Sequence, residues 1–301
     1  MKNKYRNIFL AFGIVAVLIM MFTFDMDYQE LWTNLKRAGI YLPLVLILWL
    51  LVYLINTVSW YIIIRSGGKP GFSFARLYKF TVTGFALNYV TPVGLMGGEP
   101  YRIMELKPYI GVERATSSVI LYVMMHIFSH FCFWLTSVLL YIFLYPVGWG
   151  MGIILGAITI FCLLIALLFI KGYQHGMAVA FVRLGSRLPF LKKKVIHFAE
   201  VHRQQLENID QQIALLHRQK KQTFYAALSL EYMARVVSCL EIWLILNVLT
   251  THVSFADCCL IAAFSSLLAN LLFFLPMQLG GREGGFALAV GGLSLSGAYG
   301  V

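Results

Sequence analysis

Long apolar stretches separated by short polar segments make up most of this chain. A helix that crosses a bilayer needs about 20 mostly apolar residues. Stretches of that order lie at 7–24, 41–64, 114–145, 150–170 and 223–248. The pattern predicts an all-α, polytopic bundle of transmembrane helices. Because no small-residue cleavage site follows the first stretch, we interpret it as a retained signal-anchor helix.

Basic residues collect on one side of the predicted spans. The N-terminus before the first span is basic, and so are the segments 65–79 and 171–222. Cytoplasmic loops of membrane proteins carry an excess of Lys and Arg. The distribution therefore predicts that the N-terminus, 65–79 and 171–222 face the cytoplasm, and that 25–40 lies outside.

Composition agrees with a membrane protein. Of the 301 residues, 60% are apolar and only 12% are charged, whereas a soluble domain has about 25% charged residues. These values exclude a disordered chain and a conventional cytosolic enzyme. The net charge of +11 predicts cytoplasmic loops rather than nucleic-acid binding. The five cysteines lie in apolar stretches without metal-ligand spacing, so we expect small buried residues and no disulfide framework.

The segment 171–222 is the one long polar region within the single integral membrane domain, 1–301, that we predict. Apolar residues recur in it at helical spacing, so a helix there would have one apolar and one basic face. Two interpretations stay open. The segment forms a cytoplasmic helical hairpin that packs on the base of the protein, or it rests on anionic lipid headgroups.

Sidedness constrains the apolar run 80–90. If 65–79 and 171–222 both lie inside, an even number of crossings must separate them. The spans at 114–145 and 150–170 already supply two crossings. The run 80–90 must therefore enter from the cytoplasmic side, turn within 91–100 and return by about Gly111, as a re-entrant hairpin.

A second turn near the C-terminus resembles the first. The first reads Pro92-x-x-Leu95-x-Gly97-Gly98-Glu99, and the second reads Pro276-x-x-Leu279-Gly280-Gly281-Arg282-Glu283. The second follows the apolar run 257–275 and would enter from outside. Two re-entrant, broken-helix elements from opposite faces predict an inverted-repeat-like arrangement. The short apolar segment after the second turn is either a half-helix or the start of a span that needs more chain.

The two turns supply most of the residues from which we predict a substrate site. Glycines let a ligand approach the backbone, and the start of a half-helix favours an anionic group such as a lipid phosphate. A charge at the bilayer centre costs roughly 2.5–3.5 kcal/mol on insertion scales, so intramembrane charges indicate a polar cavity. The candidate substrate-binding residues are Asn88, Thr91, Pro92, Gly94, Gly97, Gly98, Glu99, Arg102, Glu231, Arg235, Pro276, Gln278, Gly280, Gly281, Arg282 and Glu283.

These charges have two kinds of role open to them. Arg102 and Arg282 would face the phosphate, while Glu99 and Glu283 would hold the arginines or contact a cationic headgroup. Alternatively, the charges pair with one another and fix the packing of the bundle. Glu231 and Arg235 are four residues apart and can pair on one helix face. Glu241 can simply face a polar residue of another helix.

Motifs for metal, cofactor or catalysis give little signal. His126 and His130 are four residues apart on one helix face, but the Glu of a zinc-protease helix and a third ligand are not evident. A polar cavity wall or intrahelical hydrogen bonds explain these histidines better. We recognise no P-loop, dinucleotide fingerprint, serine-nucleophile elbow or catalytic constellation, so we predict no cofactor and no resident metal.

The two motifs resemble a known family. The stretch Thr91 to Arg102, the helix that begins at Glu113-Arg114 and the later Leu275 to Gly284 are similar to the signatures of the lysylphosphatidylglycerol synthetase/flippase transmembrane family. The resemblance implies a flippase-like integral protein of the bacterial inner membrane. It does not carry over the aminoacyl-transferase activity, which belongs to a soluble domain. His126 stands as the candidate for a position where members often have Asp.

The sequence therefore predicts a lipid transporter that moves a phospholipid or glycolipid headgroup through a polar intramembrane cavity. One alternative is an intramembrane enzyme that acts on a lipid-linked substrate. Another is a non-transporting accessory subunit of envelope-lipid synthesis. The expected partners are the lipid substrate and, at 171–222, anionic lipid headgroups, with no nucleic acid. A homo-oligomer is compatible with the sequence.

Overall fold

The computed structural model describes residues 38–90, 97–175, 221–249 and 253–271, together with Trp32, Thr33, Lys36, Gln204, Glu207, Asn208 and Gln211. Within these residues the chain forms helices and turns and no strand. The helices are α1 (Tyr41–Ser66), α2 (Phe74–Val90), α3 (Gly98–Ile110), α4 (Val112–Leu144), α5 (Trp149–His175), α6 (Lys221–Leu249) and α7 (Phe255–Leu271). The all-α prediction is confirmed for this part of the chain.

Three helices are long and apolar enough to cross a membrane. They are Tyr41–Ser66, Val112–Leu144 and Trp149–Leu167, which match the spans predicted at 41–64, 114–145 and 150–170. The predicted span 223–248 is also one helix, α6, of 29 residues. The predicted signal anchor at 7–24 lies outside the described residues. Many large apolar side chains of α1 and α5 are exposed, as expected where lipid surrounds a helix.

Apolar clusters hold the bundle together, and α4 and α6 contribute to both of the larger ones. The first cluster joins α1, α2, α3, α4 and α6 around Trp60, Leu77, Leu106 and Tyr122. The second joins α4, α5, α6 and α7 around Trp134 and Cys162. All five cysteines are free, and all but the half-buried Cys132 are buried, which confirms that they serve mainly as small buried residues.

Helices α2 and α3 pack at very short range because both carry glycine at the crossing. A Cβ on Gly98 would overlap the carbonyl oxygen of Gly84, and a Cβ on Gly84 would lie 2.9 Å from Cζ of Arg102. Helix α3 has 13 residues, which rise about 20 Å at 1.5 Å each. It ends at Ile110, and the next residue, Gly111, has a φ of 81°, which favours glycine.

Side chains from the start of α4 fix the end of the bundle that was predicted to be cytoplasmic. Arg114 Nη2 donates to the carbonyl oxygen of Ile64 at 2.7 Å and to that of Gly68. The guanidinium therefore caps the C-terminal end of α1. Asn208, from the predicted 171–222 segment, donates from Nδ2 to Glu113 Oε1 at 3.0 Å. Most of that segment lies outside the described residues.

At the opposite end, α7 begins with a capping box. The amide of Asp257 donates to Ser254 Oγ at 3.1 Å, and the amide of Ser254 donates to Asp257 Oδ2 at 3.2 Å. The phenol of Tyr145, just after α4, donates to Asp257 Oδ1 at 2.5 Å. Burial and the neighbouring carboxylate raise the pKa of Tyr145 to about 12, so this donor stays protonated at neutral pH.

Candidate functional site

Two charged pairs lie inside the bundle. In the described part of the chain, the ion pairs are Arg102 Nη1 with Glu99 Oε1, 3.4 Å apart, and His126 Nδ1 with Glu231 Oε2, 2.8 Å apart. In each pair one side chain is buried and the other is partly exposed. The side chains of Arg102 and Glu231 are 1% and 0% exposed, whereas those of Glu99 and His126 are 22% and 30% exposed.

The guanidinium of Arg102 sits in an aromatic enclosure. Its Cζ lies 4.7 Å from the ring centroid of Phe85, 5.2 Å from that of Tyr122 and 5.8 Å from that of Trp60. Cation–π attraction stabilises a cation in such surroundings. Nη2 also donates to the carbonyl oxygen of Thr81 at 3.4 Å. Both hydrogen bonds to oxygen are long, so the enclosure leaves capacity for a stronger acceptor.

Asn88 connects the end of α2 to the start of α3. Its Oδ1 accepts from the amide of Gly98 at 2.7 Å, and its Nδ2 donates to Glu99 Oε1 at 3.0 Å. One side chain therefore satisfies an N-terminal amide of α3 and orients the carboxylate. Glu99 Oε2 is buried and has no hydrogen-bond partner among the described residues.

A second polar cluster, formed by His126, Ser129, Glu231 and Arg235, joins the middle of α4 to the middle of α6. Glu231 Oε2 pairs with His126 Nδ1. Arg235 donates from Nε to Ser129 Oγ and from Nη2 to the carbonyl oxygen of His126, both at 2.6 Å. Glu231 Oε1 is buried without a hydrogen-bond partner among the described residues. The cluster therefore holds two charged side chains of α6 against one turn of α4.

Aromatic rings separate the Glu99–Arg102 pair from the His126–Glu231 pair. The ring centroid of His126 lies 5.8 Å from that of Phe85 and 6.3 Å from that of Tyr122. The same two rings cover the guanidinium of Arg102. The Tyr122 hydroxyl is buried and has no hydrogen-bond partner among the described residues. The rings of Phe85 and Tyr122 therefore lie between the buried guanidinium of Arg102 and the pair that His126 forms with the buried carboxylate of Glu231.

A family model described as the lysylphosphatidylglycerol synthase TM region matches residues 8–301. The chain belongs to this family. The match confirms the resemblance predicted from the two Pro–Gly–Gly–Glu motifs. It identifies an integral membrane protein of a family associated with lipid synthesis and translocation. Comparisons with curated proteins and with solved structures gave no match.

In this member of the lysylphosphatidylglycerol synthase TM family, part of the predicted site is described. Asn88, Gly97, Gly98, Glu99 and Arg102 lie together at the α2–α3 junction, and Glu231 and Arg235 lie together on α6. The other predicted residues lie outside the described part of the chain: Thr91, Pro92, Gly94, Pro276, Gln278, Gly280, Gly281, Arg282 and Glu283. The meeting of the two motifs stays a prediction.

A pair between Glu231 and Arg235 was one of the roles left open by the sequence, and in the structure both side chains have other hydrogen-bond partners. Their spacing does place both side chains on one face of α6. That face packs against α4, where His126 and Ser129 offer closer partners. Glu231 therefore pairs with His126, and Arg235 bonds to Ser129 and to a backbone carbonyl. The interpretation of Glu241 is confirmed, because Trp49 Nε1 of α1 donates to its Oε1 at 2.9 Å.

The two histidines pack in a row of aromatic rings along α4. The ring of His130 lies 5.7 Å from that of His126 and 5.5 Å from that of Trp134. In the part of the chain that the structure describes, no three His, Cys, Asp or Glu side chains come together as metal ligands would. His126 instead contacts a single carboxylate.

Sequence reasoning missed several residues that shape the site, namely Trp60, Thr81, Gly84, Phe85, Tyr122 and Ser129. Some signal was present. Gly84 interrupts an apolar run four residues before Asn88, and Tyr122 precedes His126 by one helical turn. Such spacing places residues on one face of one helix. It does not say which faces of different helices meet.

Proposed function

We propose that this protein is a flippase-like lipid transporter. The headgroup of a phospholipid or glycolipid would pass along the partly exposed side of the two charged pairs, past Glu99 and His126, while the acyl chains stay in the bilayer. One observation carries the proposal. Two sealed charges, Arg102 and Glu231, lie deep in the bundle, and each is paired with a partly exposed partner.

The energetic cost of placing charges inside a membrane supports this proposal. Charged side chains within membrane segments are expensive and typically mark substrate or ion pathways. Arg102 is held by long hydrogen bonds and by aromatic faces, so a lipid phosphate would be a better partner than its present acceptors. Glu99 Oε2 is free to accept from a hydroxyl or ammonium group of the headgroup.

The start of α3 offers a second contact for the phosphate. Helix N-termini attract anions through their free amides and the helix dipole. Asn88 already accepts from the amide of Gly98 and Pro100 has no N–H, so the amide of Glu99 is the donor of the first turn proposed for a ligand.

We further propose that α2 and α3 form a re-entrant hairpin. With a rise of about 20 Å, α3 is too short for a hydrocarbon core of about 30 Å. In this proposal the 276–284 element enters from outside and faces the hairpin, as in inverted-repeat transporters. The N-terminus and 171–222 would face the cytoplasm of a bacterial inner membrane.

Lipid translocation in proteoliposomes tests this function. A fluorescent phospholipid is placed in both leaflets, and bleaching of the outer leaflet from outside reports exchange. Glu99→Gln keeps the shape of the side chain and removes its charge. Loss of one charged hydrogen bond of about 1.5–3 kcal/mol should slow exchange about 10- to 100-fold.

The matched control is Glu105→Gln, the same chemical change on the same helix. Glu105 is half-buried and belongs to neither charged pair. It should exchange lipid at the wild-type rate. Equal exchange by wild type, Glu99→Gln and protein-free liposomes would refute the transporter. Mass spectrometry of the same lipids would then reveal a product if the protein were an intramembrane enzyme.

A further inference from the structure

The cluster of His126, Glu231 and Arg235 has an unusual charge balance. An ionised carboxylate only accepts hydrogen bonds, so His126 Nδ1 carries the hydrogen that is shared with Glu231 Oε2. If His126 is neutral, Glu231 and Arg235 cancel. One additional proton, held by Glu231, leaves the cluster with a net positive charge.

We propose that the His126–Glu231 pair is a proton-binding site, and that one proton binds there together with the negative phosphate of a lipid headgroup. The proposal rests on the proposed function, because it supplies the ion that would couple to lipid movement. The proton and the phosphate each relieve the charge that the other brings. Their binding is therefore mutually favourable, as linkage between two sites requires.

The geometry of the pair suits proton exchange. Glu231 is 0% exposed and cannot meet water directly, whereas the His126 side chain is 30% exposed. The imidazole can take a proton on one ring nitrogen and pass one to Glu231 from the other, which makes histidine suited to proton transfer near neutral pH. The proton that leaves His126 Nδ1 moves to Glu231 Oε2, the oxygen that Nδ1 already contacts at 2.8 Å, and the proton taken up on Nε2 leaves the imidazole neutral.

The surroundings contain few other groups that titrate or carry charge. Arg235 lies on α6, Tyr122 and His130 lie on α4, and Arg102 and Glu99 lie on α3. From α1 and α2 the neighbouring contacts are the rings of Trp60 and Phe85. Among the described side chains, α5 brings no charge, and Asp257 of α7 is bonded to Tyr145.

The phosphate would bind close enough for its charge to be felt by the pair. Arg102, its expected partner, shares the rings of Phe85 and Tyr122 with His126. The contact between them consists of aromatic rings, so the charges interact through a medium of lower dielectric constant than water. A phosphate at Arg102 therefore favours the proton at His126–Glu231.

Infrared titration of the purified protein in neutral detergent tests the site itself. A protonated buried carboxyl group gives a C=O stretching band that is absent from the ionised form. Wild type should show such a band, stronger at acid than at alkaline pH, and Glu231→Gln should lack it. Glu241→Gln is the matched control on the same helix and should keep the band. A spectrum with no titrating band that depends on Glu231 would overturn the proposal.

Proton uptake tests the link to the phosphate. In weak buffer, dioleoylphosphatidylglycerol in micelles should cause wild type to take up about one proton per bound lipid, and dioleoylglycerol should cause none. Glu231→Gln should bind the anionic lipid without uptake. Equal uptake with both lipids, or an unchanged uptake by Glu231→Gln, would overturn the coupling. The wild-type comparison needs no variant to fold.

The two proposals fail in different ways. If wild type exchanges lipid in liposomes but takes up no proton, the proton site is wrong and the transporter stands. If it takes up a proton with the anionic lipid but exchanges no lipid, the transporter is wrong and the proton site stands as a lipid-linked proton site.

Discussion

The close crossing of α2 and α3 makes a quantitative prediction for Gly98→Ala. The added Cβ would overlap the carbonyl oxygen of Gly84 and lie 2.8 Å from Asn88 Oδ1. Ordinary carbon contacts are about 3.5–4.0 Å, so α3 has to move away by about 1 Å. Over-packing of this kind typically costs 1–3 kcal/mol, and we expect a loss in the upper part of that range because both obstacles belong to α2.

The measurement is thermal unfolding in detergent, followed by intrinsic fluorescence. Gly156→Ala on α5 is the matched control, because nothing lies within 4 Å of its added Cβ. There alanine gains up to about 1 kcal/mol of helix propensity. Gly98→Ala should therefore unfold at a lower temperature than wild type, and Gly156→Ala at the same or a higher temperature. Equal unfolding temperatures for both variants would refute the crossing.

Gly84→Ala separates stability from function at the same crossing. Its Cβ would meet the guanidinium of Arg102 rather than backbone, with 2.9 Å to Cζ. A side-chain end can move where a backbone carbonyl cannot. We expect Gly84→Ala to unfold at a higher temperature than Gly98→Ala and yet to slow lipid exchange, because Arg102 is displaced from its enclosure.

Three further predictions concern contacts away from the charged pairs. Trp49→Phe should lower stability by about 1–3 kcal/mol, since Glu241 loses its indole donor, as chemical denaturation would measure. Ser254→Ala should cost about 1 kcal/mol through loss of the α7 cap, measured in the same way. The raised pKa of Tyr145 contributes stability that is complete below about pH 10 and is lost as pH rises through about 12; the alkaline loss should be smaller in Tyr145→Phe.

The helices themselves could be predicted from the sequence because length decides whether an apolar run can cross a bilayer. The bounds of α1 and α4 lie within two residues of the predicted spans. A half-helix was predicted to follow the turn at 91–100, and α3 begins within that range, at Gly98. Each of these features is determined by the residues of a single segment, without reference to its neighbours in the bundle.

The partners across the bundle could not be predicted, because they depend on how helices rotate about their axes. A membrane helix that is apolar on most faces gives no periodic signal for the face that turns inward. Glu231 illustrates this: its spacing from Arg235 permits a pair along α6, but the approach of α4 places His126 at 2.8 Å instead. Likewise, the need for glycine at position 84 comes from the guanidinium of Arg102, which packs against it from another helix.

The exposure of the four paired side chains helps to decide whether the pairs only fix the packing of the helices or also bind a ligand. A pair that only holds helices together gains most when both members are shielded and fully hydrogen-bonded, since each unsatisfied buried group carries a penalty. Here the sealed members are Arg102 and Glu231, and their partners Glu99 and His126 remain partly accessible. A ligand that reaches an accessible partner can loosen its pair and take over the charge of the sealed one. We therefore expect Glu99→Gln to impair lipid exchange more strongly than it impairs folding.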